Sequence, residues 1–434
     1  MKKTFFTGFV LLQATLAVSC QNILTLDEAI AIGLANNYGI NIAKNASQIA
    51  ENNFTPGNAG ILPTIDVDAA YTHGLSNAKV DVVTGSTLNN SSANSDLVTA
   101  GINLNWKLFD GLNMFITYEK LKKLEEIGDL NSKITIENTL AGIIAAYYDI
   151  VRQAKETAII QKQVEISKFR LELAQLSYET GSGSELEFLK AKVELNADIA
   201  NLSSQQTVFS NSRATLNDLL SRDVGTLFEV RDTILLHYRL NYDSLRGSMR
   251  EFNRNLLLYN RNKDVSGLDV KSTKAVQWPT LGLTTGFDYS HLETEANFIN
   301  FNRNFGPIVG VSATMNIFNG LNLQRDHKNA RISYASSELE VKELENKLDA
   351  YLLKIYNEYI NELQLITFER ENMVLAAKNM DIAKESFKVG SISSLQLREI
   401  QKNLLDADTR LVTAEYRTKL TETELLLISG KLLQ

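Results

Sequence analysis

The sequence predicts a mixed α and β chain built from two copies of one unit: a β-hairpin, one very long helix and a shorter helix running back along it. Three observations predict this. Stretches of strict apolar–polar alternation stand directly before each long helical run. The corner Leu108-Phe109-Asp110-Gly111 returns as Ile317-Phe318-Asn319-Gly320, and the turn between Tyr178 and Ser184 returns between Phe387 and Ser393. Gly111 stands as far from Gly181 as Gly320 stands from Gly390, which marks a tandem duplication.

Composition agrees. Only four prolines occur in 434 residues, which suits long uninterrupted helices. The net charge of −7, with no basic cluster, argues against a nucleic-acid partner. Residues 1–20 read as a signal peptide, with Lys2 and Lys3 as its basic start and residues 5–18 as an apolar run too short to span a bilayer. Cys20 has two readings. Leu16-Ala17-Val18-Ser19-Cys20 resembles a bacterial lipoprotein box, which implies cleavage before Cys20 and lipidation of its thiol. Ordinary cleavage after Cys20 would leave Gln21 first.

The first repeat covers 21–240 and the second 241–434. Thr25, Asp27 and Glu28 open a helix that is interrupted at residues 36–39 and resumes to about Asn53. After Pro63 the period changes to two: Ile65, Val67, Ala69 and Tyr71 share one face. Residues 73–96, rich in Ser, Asn and Gly, read as an exposed loop. Residues 98–108 alternate again, with Ile102, Leu104 and Trp106 opposite Asn103 and Asn105. A helix over 113–179 follows, its seam read as Ile159, Ile166, Phe169, Leu173 and Leu176. Residues 185–220 return antiparallel to it. Residues 221–241 form a connector with a strand over 227–230. The second repeat runs through a helix pair, strands at 280–290 and 309–317, a helix over 322–388 and a returning helix over 395–428. In its last strand Val311, Ala313, Met315 and Ile317 face away from Ser312 and Thr314.

An alternating strand fits a half-buried soluble sheet as well as a membrane strand. Two hairpins far apart in the chain, helices longer than a soluble sheet needs for cover, and a secretion signal favour the membrane. Open sheet edges in hydrocarbon are too costly, and four strands cannot close a barrel. The chain must then oligomerise, two copies giving eight strands or three giving twelve.

At these residues a family is recognisable. Leu26-Asp27-Glu28-Ala29 with Ala35-Asn36-Asn37, Pro63, both Gly corners, Tyr178-x-x-Gly181-x-x-Ser184-x-Leu186 and Phe387-x-x-Gly390-x-x-Ser393-x-Leu395 together resemble the TolC-type outer-membrane efflux proteins. A proline often follows the second Asn of the opening helix in that family; here Tyr38 and Arg254 stand there. The resemblance implies a mixed α and β membrane channel in the outer membrane. Its long antiparallel coiled-coil helices would form a periplasmic α-barrel, and four strands per chain would enter a trimeric twelve-stranded β-barrel. It implies a homotrimer in outer-membrane lipid, conducting substrates passively for an inner-membrane pump through a periplasmic adaptor protein, in efflux or type I secretion. The turns at Gly181, Ser184, Gly390 and Ser393 would form the periplasmic tip, with positive φ at both glycines. The positions that narrow the pore in the family fall on Gln396 and Glu399, with Glu187 and Lys190 their first-repeat counterparts. Gln396 replaces one expected acid. Glu399 either lines the pore or pairs with a basic neighbour such as Arg398.

A different class of reading is a secreted coiled-coil scaffold with a small soluble sheet. An enzyme is a poorer fit. His73, His237, His291 and His327 are scattered with no metal-ligand spacing, and no Gly-rich loop follows a strand. No cofactor, metal or catalytic residue is expected.

Overall fold

The computed structural model describes residues 23–81, 83, 85, 87–231, 233–236, 240–296 and 300–432. Cys20, the signal peptide and His237 lie outside the described residues. The first repeat contains β1 (Ile23–Leu24), α1 (Leu26–Asn36), α2 (Tyr38–Asn53), β2 (Thr64–Asp81), β3 (Thr87–Asp110), α3 (Asn113–Glu179), α4 (Glu185–Leu219) and β4 (Glu229–Val230). The second contains α5 (Tyr242–Phe252), α6 (Arg254–Ala275), β5 (Thr280–Thr294), β6 (Phe301–Thr314), α7 (Asn322–Lys388) and α8 (Ser394–Ile428). The chain divides into two compact units. One takes residues up to 37, then 139–239 and 356–424; the other takes 38–138, 240–355 and 425 onward. No helix among the described residues is long and apolar enough to cross a membrane.

In the second unit the strands form one antiparallel sheet of order β2-β3-β5-β6. Its register sorts the side chains into rows. Ile65, Leu104, Thr285 and Val309 are aligned across the four strands, as are Val67, Ile102, Phe287 and Pro307, then Ala69, Ala100, Tyr289 and Phe305. Directly opposed residues share a face, so this face is apolar. The other face carries Asp66, Asn103, Gly286 and Ile308 in one row and Thr64, Asn105, Thr284 and Gly310 in the next, polar or small except for Ile308. Asn103 Nδ2 donates to Asp68 Oδ1 at 2.9 Å on that face. From Val98 to Leu108 a strand at the usual barrel tilt climbs roughly 25 Å, the height of a transmembrane apolar band. Strands β2 and β6 are the unpaired edges.

Two readings of the hairpins are corrected here. Residues 73–96 are not a loop: β2 continues to Asp81 and β3 starts at Thr87, with a register shift between Ser76 and Ala78. Backbone pairing carries the hairpin on through residues in which the regular apolar–polar alternation that marks a half-apolar strand is absent. Strand β6 ends at Thr314, opposite the first residue of β5, and therefore excludes Met315 and Ile317. The connector strand is also shorter, β4 pairing in parallel with β1 over two residues each.

Gly111 ends β3 and lets the chain enter α3. Its φ is +72°, and a Cβ there would lie 2.2 Å from the Ala275 carbonyl oxygen. Only a residue without a side chain fits so close an approach. The helix pair α5 and α7 is joined by a forked ion pair. Arg246 Nε and Nη2 donate to the two Asp349 oxygens at 2.9 and 2.8 Å, and Arg250 Nη2 donates to one of them at 3.0 Å. These hydrogen bonds, that from Arg246 first, pull the Asp349 carboxyl from 3.8 down to about 2. Buried Glu137 is held by Arg254 at 2.7 Å in the same unit.

One tie at the helix starts recurs in both units. Thr25 and Glu28 form a reciprocal capping box at the start of α1. Asn37, between α1 and α2, donates from Nδ2 to the Leu219 carbonyl at the end of α4, 2.8 Å away. In the other unit Asn253, between α5 and α6, does the same to Ile428 at the end of α8, 2.9 Å away. Each asparagine thus satisfies a helix-end carbonyl that has no intrahelical donor.

Two predictions follow from these placements. Leu104→Arg puts a charge on the apolar face at mid-height and should cost about 2–4 kcal/mol, whereas Asn103→Arg should be mild. Refolding into lipid vesicles, scored by heat-resistant oligomer, measures the difference, and equal yields would place the sheet outside the membrane. For Asp349 the folded pKa is depressed, so its stabilisation is present above 3.8 and lost as pH falls through about 2. Melting curves of wild type and Asp349→Asn should differ at neutral pH and converge toward pH 2.

Candidate functional site

Both helix-to-helix turns are built alike from the backbone up. At the end of α3 the Gly181 N–H donates to the Tyr178 carbonyl (3.0 Å) and the Ser182 N–H to the Ser177 carbonyl (2.9 Å). At the end of α7 the Gly390 N–H donates to Phe387 (3.0 Å) and the Ser391 N–H to Ser386 (2.9 Å). This is the Schellman pattern, which requires a left-handed residue after the helix. Gly181 and Gly390 supply it with φ of +74° and +75°. Ser184 then caps α4, its Oγ accepting from the Glu187 N–H at 3.3 Å. Ser393 caps α8 in the same way through Gln396, also at 3.3 Å.

The surface left at the turns mixes exposed apolar side chains with polar ones. Leu186, Val389 and Leu395 are exposed, and Tyr178 stacks on Phe188 with ring centroids 5.9 Å apart.

The two candidate constriction residues differ in what they do. Gln396 Oε1 accepts from the Ser393 N–H (2.8 Å) and from Ser393 Oγ (3.1 Å), completing a capping box. Its amide oxygen is therefore turned back on the helix start. Glu399 is exposed and makes no ion pair or side-chain hydrogen bond among the described residues. Its neighbour Arg398 is committed elsewhere: Nη1 and Nη2 donate to the two Asp198 oxygens at 2.6 and 2.9 Å. This hydrogen bonding raises the Arg398 pKa further above its ordinary value. Pairing between Arg398 and Glu399 is excluded by that geometry. Glu187 and Lys190 on α4 are both exposed.

Asp198 belongs to a cluster that the sequence reading missed. Residues Gln163, Ser167 and Arg170 of α3, Glu194 and Asp198 of α4, and Ser394, Arg398 and Gln401 of α8 converge in the first unit. Arg170 is 2% exposed, yet its guanidinium pairs with Glu194 at 2.7 Å and donates to Ser394 Oγ at 3.0 Å. Gln401 Nε2 donates to the Gln163 carbonyl and Ser167 Oγ at 3.0 and 2.9 Å. The α3 seam read from the sequence holds in part, with Ile166 packed against the buried Met380, Ala383 and Leu397. Ile159, Ile166, Phe169 and Leu173 are half-buried and Leu176 is exposed, while Gln163, Val164, Ser167 and Arg170 are buried. An apolar-stripe search passes over a buried face made mostly of polar groups that satisfy one another. The signal available was the spacing of Gln163, Ser167 and Arg170 by four and three residues, one helix face.

No cluster of three or more His, Cys, Asp or Glu side chains that could hold a metal occurs among the described residues.

The family described as "Outer membrane efflux protein" matches residues 31–222 and 248–431, one segment per repeat. The outer membrane efflux protein BepC of Brucella suis is 21% identical over 410 residues, covering 94% of this chain and 86% of its own. The outer membrane protein TolC of Vibrio cholerae is 20% identical over 368 residues, covering 83% of this chain and 80% of its own. The crystal structure of the Campylobacter jejuni CmeC outer membrane channel aligns with a TM-score of 0.78 at 13% identity, over 94% of this chain and 86% of that one. The shared fold is that of these channels.

The turns give a graded test of backbone geometry. A Cβ at Gly390 meets nothing within 4 Å, so Gly390→Ala should cost only left-handed strain, about 1–2 kcal/mol. Gly111→Ala adds a clash with backbone and should prevent assembly. Thermal unfolding of the first and oligomer yield of the second check this order; equal tolerance would contradict it.

Proposed function

Because the chain belongs to the outer membrane efflux protein family, we propose that it is the outer-membrane channel of a tripartite efflux or secretion system, passing substrates passively from a periplasmic pump–adaptor complex to the exterior. The observation that carries this reading is the four-stranded sheet with one apolar face and two unpaired edges, continuous through the Gly111 corner with α3. Lipid leaves no partner for an open edge, so β6 of one copy would pair with β2 of the next. Three copies would close twelve strands, with Asn103, Asn105, Ser312 and Thr314 toward water inside and Ile102, Leu104, Trp106, Val311 and Ala313 toward lipid. The helices stand in the periplasm. There the turns at Gly181, Ser184, Gly390 and Ser393, with the exposed Leu186, Val389 and Leu395 beside them, would meet the adaptor protein.

Glu399 would line the narrow end of the pore. It is exposed and its basic neighbour is occupied, so a threefold axis would gather its carboxylates into a ring that attracts divalent cations. With Gln396 held in the α8 cap, Glu399 supplies the acid at this level. Purified wild-type and Glu399→Ala oligomers in planar bilayers test this. Wild type should be cation-selective and blocked by magnesium added on the periplasmic side; Glu399→Ala should lose most of both. Unchanged selectivity and block would remove Glu399 from the pore, and absence of any channel in wild type would defeat the channel reading itself.

A further inference from the structure

Helix α8 is held to α3 and α4 along one stripe, Ser394, Arg398 and Gln401, spaced four and three residues apart. The strongest of these ties is the fork from Arg398 to Asp198, whose carboxylate also accepts from Ser167 Oγ at 2.5 Å. Arg170 closes the other side of the cluster, its Nη1 donating to Gln401 Oε1 at 3.4 Å and its Nη2 pairing with Glu194. Two guanidinium groups thus face two carboxylates. Consecutive side chains leave a helix about 100° apart, so anchoring Arg398 against α4 fixes where Glu399 points.

The duplication shows that this cluster is not a general requirement of the repeat. The shift that places Gly181 on Gly390 carries Arg170 to Asn379, Ser167 to Ala376, Glu194 to Asn403 and Asp198 to Ala407. It carries Arg398 back to Leu189. None of the counterparts is charged. At these positions the other repeat is therefore built without ions, its own α7–α8 ion pair from Arg410 to Glu369 lying elsewhere, and the charged cluster serves something present only here. What is present only here is an acid at 399, where the first repeat has Lys190.

We propose that Arg398 is a positioning residue for the constriction: its ion pair with Asp198 sets the rotation and axial register of the first turns of α8, and so presents Glu399 to the lumen. The inference rests on the reading of Glu399 as the constriction. Apolar helix seams resist sliding and rotation weakly, and a buried polar pair is the attested device for fixing register. The fork matters as well as the charge, because two parallel hydrogen bonds define an orientation that a single ammonium does not.

The test is magnesium block of purified oligomers in planar bilayers, with heat-resistant oligomer as the assembly control. Arg398→Ala and Asp198→Ala should each raise the half-blocking magnesium concentration several-fold although Glu399 is intact. The swapped pair Arg398→Asp with Asp198→Arg should recover block. Arg398→Lys, which keeps the charge and is the fallback if Arg398→Ala does not assemble, should fall between wild type and Glu399→Ala. Combining Arg398→Ala with Glu399→Ala should add nothing to Glu399→Ala alone, a non-additivity that a merely structural role would not produce. Wild-type block in Arg398→Lys or Arg398→Ala, or additive losses in the double variant, overturns the proposal. If Glu399→Ala alone leaves block unchanged, the constriction reading fails instead, and the two failures are told apart.

Discussion

Hydrocarbon offers no hydrogen-bond partner to a backbone N–H or C=O, and the rest of this chain can be understood from that constraint. The strands pair β2 to β3, β3 to β5 and β5 to β6, leaving both outer edges unsatisfied within one chain. One chain would then be a fragment of a closed surface, with the apolar rows from Leu281 up to Tyr289 and Phe305 on the side that would meet lipid. The same constraint shapes the exits. A strand leaving a sealed sheet must turn at once into a segment that satisfies its own backbone, and α3 does so. Gly111 is the joint, since no side chain fits between it and the Ala275 carbonyl.

The helices are held mainly by buried apolar side chains such as Ile143, Ile150, Leu216, Leu352 and Met380, and polar groups are set among them. Arg170, Asp198, Gln163 and Gln401 are buried, as are Lys419 and Glu422, which pair at 2.7 Å. Buried ion pairs add little stability over well-packed hydrophobic residues, but they penalise every arrangement that separates them. Long helices with smooth apolar seams could settle in several registers. Matched charges, and asparagines that each reach one particular carbonyl, select among those registers.

Much of this was legible in the sequence because the determining signals are local. Absence of proline and recurrence of Gly turns place α3 and α7 at their observed bounds. Alternation places the membrane part of the strands and the face that each side chain takes. Strand continuation through residues 73–96 was not legible, because there pairing with a neighbour, rather than a half-apolar pattern, maintains the strand. The end of β6 was missed for a related reason: Met315 and Ile317 keep the alternation after the partner strand has run out. The polar cluster around Arg398 shows in the sequence only as the polar face of Gln163, Ser167 and Arg170, because its members come from three helices, up to 238 residues apart in the Gln163–Gln401 contact. For the same reason a pairing of Arg398 with its sequence neighbour looked available from the sequence, although Asp198 occupies the guanidinium.

The two Schellman turns close their own accounts. Each satisfies its last carbonyls with its own N–H groups and starts the next helix with its own serine. The exposed apolar side chains on that surface, Leu186, Val389 and Leu395, take no part in those hydrogen bonds. Shape and surface chemistry are thereby separated at this end of the helices. If an adaptor docks at these turns as proposed, substitution could rewrite the docking surface while the loop keeps its form, so a lineage could exchange one partner for another by drift at a few side chains without first surviving a damaged scaffold.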